Sequence, residues 1–190
     1  MIKIGILTTR EFPLLYFYIK KIILNDISNF IIIYDEKVPL ERNIKLWKER
    51  TGSNFELNIK RKNFLENVNK KYSIFSTPNH NSNQCLDIIK KEKIECLINL
   101  GTPRKLKREI INSVKDIGII NIHPGKLPEY RGSSAVEWAI YEDKLIFNTA
   151  HFMDEQYDSG NIIISKSYKF SKNDTYQSIR IKVYKEGINL

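Results

Sequence analysis

Short apolar runs alternate with amphipathic segments along most of the chain. In the first amphipathic segment Leu15, Ile19, Ile22 and Ile23 recur at the spacing of one helical face. Each apolar run has the length of a strand that is buried on both sides. The runs that predict buried strands are 3–8, 30–35, 72–76, 94–100 and 118–122. Strands that alternate with helices predict an α/β fold, a mostly parallel twisted sheet with helices on both faces, as in Rossmann-like proteins.

The remaining segments predict further helices and two closing strands. Helices are expected at about 39–50, from the loop at 79–83 to about 91, at about 104–114, at 135–141, and from 173 or 174 into the C-terminus. Ser133 and Ser134 are good N-caps for the fourth of these helices, and Asn173 or Asp174 for the last. The closing strands are expected at about 146–153 and 161–170. Residues 51–70 are polar and favour no element, although Phe55 to Ile59 fits a short edge strand.

The composition is that of a folded protein with an excess of basic residues. The 190 residues are 42% hydrophobic and 11% aromatic, which suits one domain and is too apolar for a disordered chain. The 31 Lys and Arg residues against 22 Asp and Glu residues give a formal charge of +9. Two explanations stay open. The charge attracts an anionic partner such as a nucleic acid, a nucleotide or a polyglutamate tail, or it is a lysine excess scattered without function.

Cysteine usage and the N-terminus bear on the compartment. Cys85 and Cys96 lack metal-binding spacing, and with three histidines in the chain they predict no metal site. The N-terminal MIKIGILTTR lacks the hydrophobic length of a signal peptide, and no apolar stretch is long enough to span a membrane. A cytoplasmic protein with reduced thiols is expected.

The segment IINIHPGKLPEYRG, at 119–132, holds the main candidate chemistry. Asn121 and His123 lie two positions apart at the end of a predicted strand, so their side chains are expected on the same side. In α/β folds ligands bind beyond the carboxyl ends of the strands, where these residues are placed. Gly125 allows close backbone approach. Pro128 leaves open whether the bond that precedes it is cis or trans.

Three motifs in a fixed order carry a resemblance to a known family. NIHPGKLPEYRG, the helix AVEWAI and HFMDEQYDSGNII together resemble the 10-formyltetrahydrofolate-dependent formyltransferases. That family includes glycinamide ribonucleotide, methionyl-tRNA and nucleotide-sugar N-formyltransferases. Its pattern joins N-[IV]-H and L-L-P-x-[YFW]-[RK]-G to an aspartate about 35 residues after the histidine. Here His123 and Asp158 are 35 positions apart, while Lys126 departs from the first leucine of the pattern.

The resemblance implies that residues 1–190 are a formyltransferase catalytic domain. Asn121 would donate to the formyl oxygen, on which negative charge develops as an amine attacks. Asp158 would raise the pKa of His123, so that the protonated ring supplies a second donor, and would hold a water that relays the proton from the amine to the leaving folate nitrogen. Outside this motif an aspartate before a glycine is a common turn residue. His151 is expected to pack structurally in the closing strand.

The resemblance also assigns binding segments for the formyl donor, 10-formyltetrahydrofolate. The donor-binding residues it implies are Gly101, Pro103, Arg104, Leu106, Met153, Asp154, Glu155, Gln156 and Tyr157. Arg104 would meet the glutamate tail of the folate, with a solvated arginine at a helix start as the alternative. Asp154 and Glu155 are expected to shape their loop. The amine substrate is expected at Thr8, Thr9, Arg10, Tyr130, Arg131 and Gly132.

The identity of the amine rests on elimination. The glycinamide ribonucleotide enzymes have a Gly-Ser-Asn phosphate loop after the first strand, where this chain has TTREFP. The tRNA enzymes carry a long C-terminal RNA-binding domain, for which 190 residues leave no room. We therefore expect a nucleotide-linked amino sugar of surface-polysaccharide synthesis as substrate, and no nucleic-acid or membrane partner. A homodimer, a missing C-terminal extension, a glycinamide ribonucleotide formyltransferase and a folate-binding protein without activity stay open as alternatives.

Overall fold

The computed structural model describes residues 2–36, 41–52, 59–114 and 116–190. Within them, strands and helices alternate over most of the chain, which confirms the predicted α/β class. The elements are β1 (Ile4–Thr8), α1 (Leu15–Leu24), β2 (Phe30–Asp35), α2 (Glu41–Thr51), α3 (Ile59–Lys71), β3 (Ile74–Thr77), α4 (Asn83–Lys91), β4 (Cys96–Leu100), α5 (Arg108–Asn112), β5 (Gly118–His123), α6 (Ala135–Tyr141), β6 (Ile146–Phe152), β7 (Ile162–Tyr168) and α7 (Tyr176–Gly187).

The sheet is mostly parallel, with an antiparallel pair of strands at one edge. Its strand order is β3-β2-β1-β4-β5-β6-β7. β1 pairs in parallel with both β2 and β4, whereas β6 and β7 are antiparallel. The chain builds the sheet outward from β1 and then returns to its other side, which creates the crevice where ligands bind in such folds. Thr8 is in register with Leu100, so the segments that follow β1 and β4 leave the sheet side by side.

Contacts divide the chain into two compact units. The first comprises Met1–Pro39 and Glu56–Ile120, and the second comprises Leu40–Phe55 and Asn121–Leu190. In the first unit the predicted apolar face of α1 packs on β1 and β2, with Ile6, Ile19 and Ile32 fully buried. In the second unit α6, β6 and α7 share a smaller core of Val136, Ile146, Ile179 and Val183. Each such side chain stabilises the fold by about 1.5–3 kcal/mol.

Helix α3 was not predicted, because most of its residues are polar. Its Phe64, Leu65 and Val68 nevertheless recur at helical spacing and pack on the core of the first unit. The edge strand predicted at Phe55 to Ile59 is wrong at its last residue, since Ile59 begins α3. Residues 55–58 lie outside the described residues, as does Pro39, the predicted start of the helix that the structure describes from Glu41.

The helix predicted at 104–114 is much shorter than expected. Only Arg108–Asn112 are helical, because two side chains from other segments hold residues 104–107 in a loop. The carboxylate of Asp35 binds Arg104, and the side-chain oxygen of Asn81 accepts the amide hydrogen of Lys107 at 2.8 Å. These tertiary contacts override the local helical pattern.

The predicted helix caps were correct in part. Ser82, inside the predicted loop at 79–83, caps α4 by accepting the amide hydrogen of Cys85. Thr175 caps α7, so the prediction of Asn173 or Asp174 is wrong by one or two residues. Ser134 is the N-cap of α6, but its side chain makes no capping hydrogen bond. The Leu127–Pro128 bond is cis.

Candidate active site

Strand β5 carries Asn121 and His123 to its carboxyl end. His123 is only 4% exposed, and its Nε2 atom lies 2.6 Å from the carbonyl oxygen of Tyr130. A carbonyl oxygen only accepts hydrogen bonds, so Nε2 must carry the hydrogen and donate it. The other ring nitrogen, Nδ1, therefore faces Asp158.

The carboxylate of Asp158 lies between two histidines. One oxygen is 3.3 Å from Nδ1 of His123, and the other is 3.6 Å from Nε2 of His151. The amide hydrogen of Gly132 is donated to Asp158 at 2.9 Å, and the side chain of Asn121 donates to Nε2 of His151 at 3.1 Å. The structure thus brings together the three residues predicted to be catalytic and adds a fourth, His151.

Burial decides the charge of His123. It lowers the pKa of the ring and outweighs the Asp158 carboxylate and the Tyr130 carbonyl, which both raise it. Asp158 thus raises this pKa as expected, but burial makes the net shift downward, so the neutral ring is favoured over the protonated ring that was expected as a second donor. Burial alone would raise the pKa of Asp158, but His151, His123 and the Gly132 amide together hold it below its ordinary value. Near neutral pH the site pairs an ionised carboxylate with a neutral His123 ring.

The backbone of the loop before β7 is shaped to present Asp158. Asp158 has a φ angle of +51°, in the left-handed region that aspartate and asparagine adopt more readily than most residues. Gly160 packs so closely on the end of β6 that a Cβ atom would overlap the carbonyl oxygen of Phe152. The Asp-Ser-Gly sequence forms the turn and also places the Asp158 carboxylate in the site. A turn residue and a site residue are therefore compatible explanations for Asp158.

His151 was predicted to pack structurally, and that prediction is incomplete. The ring is buried in β6 as expected, and its Nδ1 atom donates to the carbonyl oxygen of Phe152 at 2.8 Å. Its Nε2 atom, however, accepts from Asn121 and faces Asp158. A histidine expected to be buried within a strand was the available signal, since a buried histidine needs partners for both ring nitrogens.

The predicted donor-binding loop 153–157 joins His151 to Asp158. The carboxylate of Asp154 accepts hydrogen bonds from the backbone of Gln156 and the hydroxyl of Ser159, which confirms that Asp154 shapes this loop. Met153 is partly buried, whereas Tyr157 is 66% exposed and Glu155 and Gln156 are also exposed. The loop therefore holds its form through its own contacts.

The backbone of the predicted substrate residues 130–132 forms hydrogen bonds with His123 and Asp158. Tyr130 accepts from His123 through its carbonyl oxygen, while its hydroxyl binds Glu142. Gly132 donates its amide hydrogen to Asp158. Arg131, between them, is exposed.

The predicted substrate residues at the end of β1 differ in access. Thr8 and Thr9 are buried, at 0% and 3% exposure, whereas Arg10 is exposed. The guanidinium of Arg10 lies 4.4 Å from the ring centre of Tyr34 and donates to the hydroxyl of Ser76 at 3.2 Å. Arg10 is thus the member of this group that solvent reaches, and its side chain is oriented by two neighbouring strands.

The segment 101–106 follows β4 and packs within the first unit. Gly101 has a φ angle of +77° and lies against the ring of Phe12, and Leu106 is buried, whereas Pro103 is partly exposed. Arg104 donates two hydrogen bonds, of 2.7 and 2.8 Å, to the fully buried carboxylate of Asp35. The alternative of a solvated Arg104 is therefore wrong.

His80 completes this buried cluster. Its Nε2 atom donates to the carbonyl oxygen of Ile33 at 3.0 Å, which leaves Nδ1 to accept from the hydroxyl of Thr102. Burial lowers the pKa of His80, which keeps the ring neutral beside Asp35 and Arg104. The loops after β2, β3 and β4 are thereby fastened to one another.

Among the described residues, no group of three or more His, Cys, Asp or Glu side chains is arranged to hold a metal ion. No helix in the described ranges is long and apolar enough to cross a membrane. Cys85 and Cys96 are buried free thiols, and burial raises the pKa of Cys85 to about 12.

Fold and site together define an α/β protein that brings an amide donor, two imidazoles and an ionised carboxylate together in its second unit. The chain belongs to the formyl transferase family, whose model matches residues 49–190. It is 30% identical over 105 residues to the methionyl-tRNA formyltransferase of Clostridium tetani, a match that covers 55% of this chain and 34% of that protein. The chain thus spans about a third of the length of such curated relatives.

Solved structures show the same fold at low sequence identity. A phosphoribosylglycinamide formyltransferase from Streptococcus pneumoniae superposes with a TM-score of 0.70 at 15% identity, covering 100% of this chain and 94% of that one. A sugar N-formyltransferase from a Shewanella species superposes with a TM-score of 0.65 at 19% identity, covering 98% of this chain and 65% of that one.

Proposed function

We propose that this chain transfers a formyl group from 10-formyltetrahydrofolate to a primary amine. The observation that carries the proposal is the position of the Asp158 carboxylate between His123 and His151, within the family match. This geometry gives the site an ionised proton acceptor with a low pKa beside a neutral imidazole. Such a pair suits the transfer of a proton during attack by an amine.

Asn121 and Asp158 each have a definite part in the proposed reaction. When bound, the donor supplies an activated formyl group. Asn121 donates an amide hydrogen to His151, and in the reaction its side chain would donate to the formyl oxygen, on which negative charge develops. Asp158 accepts the proton that the amine loses as the new carbon–nitrogen bond forms. The bond to the folate nitrogen breaks, and that nitrogen receives the proton, so no covalent enzyme intermediate is needed.

The loop 153–157 suits the donor. Asp154 is engaged within the loop, so the loop has its form before any ligand binds. It also lies between His151 and Asp158 in the chain, which would hold a bound folate beside both residues. Backbone groups of this loop would bind the folate ring, as the resemblance implies, and this role of Met153–Tyr157 is part of the proposal.

For the acceptor, a nucleotide-linked amino sugar is the class that we propose. Arg10 presents an exposed guanidinium at the end of β1, held by Tyr34 and Ser76, and this group suits a phosphate of the nucleotide. The turn that follows β1 reads TTREFP and lacks the glycine of the glycinamide ribonucleotide enzymes. This proposal concerns the first unit and is independent of the roles of Asn121, His123 and Asp158.

The test is a survey of amines with 10-formyltetrahydrofolate. The panel comprises aminodeoxy sugars on dTDP or UDP, glycinamide ribonucleotide and initiator methionyl-tRNA, and release of tetrahydrofolate is followed by absorbance. We expect turnover with a nucleotide-linked amino sugar. Turnover with another member of the panel would support formyl transfer but contradict a nucleotide-linked amino sugar as the acceptor. If the protein binds 10-formyltetrahydrofolate but releases no tetrahydrofolate with any amine, the result would favour a folate-binding protein without activity over an enzyme.

The role of Arg10 has its own test in the same assay. Arg10→Met should raise the KM for the amine and leave the KM for the donor unchanged. Lys90→Met, which removes a charge from the exposed end of α4, is the matched control. An equal rise in both KM values would count against a phosphate-binding role for Arg10.

A further inference from the structure

Two helices of the second unit, α2 and α7, each direct an arginine to one backbone carbonyl, that of Ser133. Arg50, near the end of α2, donates to this oxygen at 2.8 Å, and Arg180, from α7, donates at 3.3 Å. Glu137, from α6, binds Arg180 with both carboxylate oxygens and lies 3.4 Å from Nε of Arg50. Along the sequence Glu137 follows Arg50 by 87 positions and Arg180 follows Glu137 by 43, so only the fold assembles the three charged residues.

The two arginines of the cluster are largely buried, Glu137 is 32% exposed at its side chain, and the cluster carries one more positive than negative charge. Arg180 is fully buried and Arg50 is 13% exposed at its side chain. Burial alone would raise the pKa of Glu137, but Arg180 and the hydroxyl of Tyr176 hold it at about 2, so the carboxylate is ionised. Stacking of Trp47 on Tyr184, at 4.9 Å between ring centres, holds α2 against α7.

One feature separates this cluster from an ordinary ion pair. The interaction of Arg50 with Glu137 is a charge contact without a hydrogen bond, since Nε of Arg50 is a buried atom that has no hydrogen-bond partner. The hydrogen bond that Arg50 makes goes instead to the Ser133 carbonyl. Arg180 directs donors to Glu137, whereas Arg50 uses its hydrogen bond on the backbone that leads to the site.

Ser133 belongs to the segment that contacts the catalytic residues. Within four residues, the Tyr130 carbonyl accepts from His123, the Gly132 amide donates to Asp158, and the Ser133 carbonyl accepts from both arginines. Because Gly132 directly precedes Ser133, a displacement of Ser133 would also move the hydrogen bond that the Gly132 amide donates to Asp158. Gly132, with a φ angle of +86°, gives this segment no side chain of its own with which to resist such a displacement.

We infer that Arg50, Glu137 and Arg180 are positioning residues that hold the Gly132 amide against the Asp158 carboxylate. The inference rests on the proposed function for its effect on turnover, but its structural part stands without it. A misplacement of about 1 Å at a catalytic group lowers turnover by about 100-fold. Loss of the Ser133 contacts should accordingly act on kcat and leave the KM of the donor nearly unchanged.

The primary variant is Arg50→Met, because Arg50 is less buried than Arg180 and its replacement disturbs the core less. We expect kcat to fall by about 10-fold to 100-fold. Arg50→Lys keeps one donor for the Ser133 carbonyl and should restore most of the turnover. Lys48→Met, two residues earlier on α2, removes the same charge from an exposed position and should behave as the wild type. Arg180→Met should have the largest effect, and the folded fraction of each variant is measured by circular dichroism.

A second measurement needs no formyl donor. Hydrogen exchange of the Gly132 amide, followed by NMR, should accelerate in Arg50→Met relative to the amides of β6, because the bond to Asp158 is loosened. A residue that only stabilised the fold would accelerate all of these amides together. Arg180→Met should also raise the pKa of His123, because the Arg180 charge lowers it.

The outcomes separate this inference from the proposed function. A wild-type protein that releases no tetrahydrofolate with any amine would contradict the proposed function. Hydrogen exchange of the Gly132 amide would still test the positioning role, because it needs no formyl donor. Unchanged Gly132 exchange in both arginine variants, or equal acceleration in Lys48→Met, would overturn the inference.

Discussion

His123 and Asp158 approach to 3.3 Å, from the Nδ1 atom of the ring to one carboxylate oxygen, although they come from different elements of the second unit. His123 ends the strand β5, and Asp158 lies in the loop between β6 and β7. The Gly132 amide holds the same carboxylate oxygen at 2.9 Å. The histidine therefore meets a carboxylate that the backbone has already oriented.

The charge of Asp158 is expected to be essential. Asp158→Asn should lower turnover by at least about 100-fold, because the site loses its proton acceptor. The change suits the backbone, since asparagine adopts the left-handed conformation that Asp158 has, and unfolding by urea should be nearly unchanged. Asp158→Ala should cost stability as well, because alanine is strained there. Turnover near that of the wild type in Asp158→Asn would contradict the assigned role.

His151 is expected to set the pH at which Asp158 ionises. Nε2 of His151 faces one carboxylate oxygen of Asp158 at 3.6 Å, and His151 helps to lower the pKa of Asp158, so His151→Gln should raise that pKa. The acidic limb of kcat against pH should then move to higher pH, because Asp158 must be ionised to accept a proton. The pH profile is measured for both proteins. An acidic limb that stays in place would show that His151 acts on some other group.

Gly160 is expected to tolerate no side chain. Gly160→Ala would push a methyl group into the Phe152 carbonyl, which cannot move without the end of β6. The loop that carries Asp158 should shift, so the melting temperature and turnover should both fall. Asn161→Ala, at the next and exposed position, is the control and should leave both unchanged. Equal effects of the two substitutions would exclude this explanation.

The buried pair of Asp35 and Arg104 is expected to stabilise the first unit. Asp35→Asn should lower the free energy of unfolding by about 3 kcal/mol, because it leaves the Arg104 charge without its partner. The comparison is Glu92→Gln, which breaks the more exposed pair with Lys3 at 2.7 Å and should cost less than about 1 kcal/mol. Urea unfolding of both variants provides the test. Similar costs would mean that burial of the Asp35 carboxylate contributes little.

Several features of the site were accessible from local pattern. The alternation of side chains along a strand places Asn121 and His123 on one side, and the turn chemistry of Asp-Ser-Gly marks the loop that carries Asp158. The helix predicted at 104–114 failed for a reason that local pattern does not contain. Asp35, more than sixty residues earlier, binds Arg104 and draws the chain into a loop.

The sequence by itself determined the order of the strands and of every described helix except α3, and placed Asn121 and His123 at a strand end, because strand and helix periodicity are properties of neighbouring residues. Tertiary structure alone decided which charged and polar groups meet. With 31 basic and 22 acidic residues, the chain admits far more pairs than it forms, and no spacing rule selects Arg50 and Arg180 for Ser133 or His151 for Asp158. Burial, which reverses the expected shift of the His123 pKa, likewise exists only once the chain has folded.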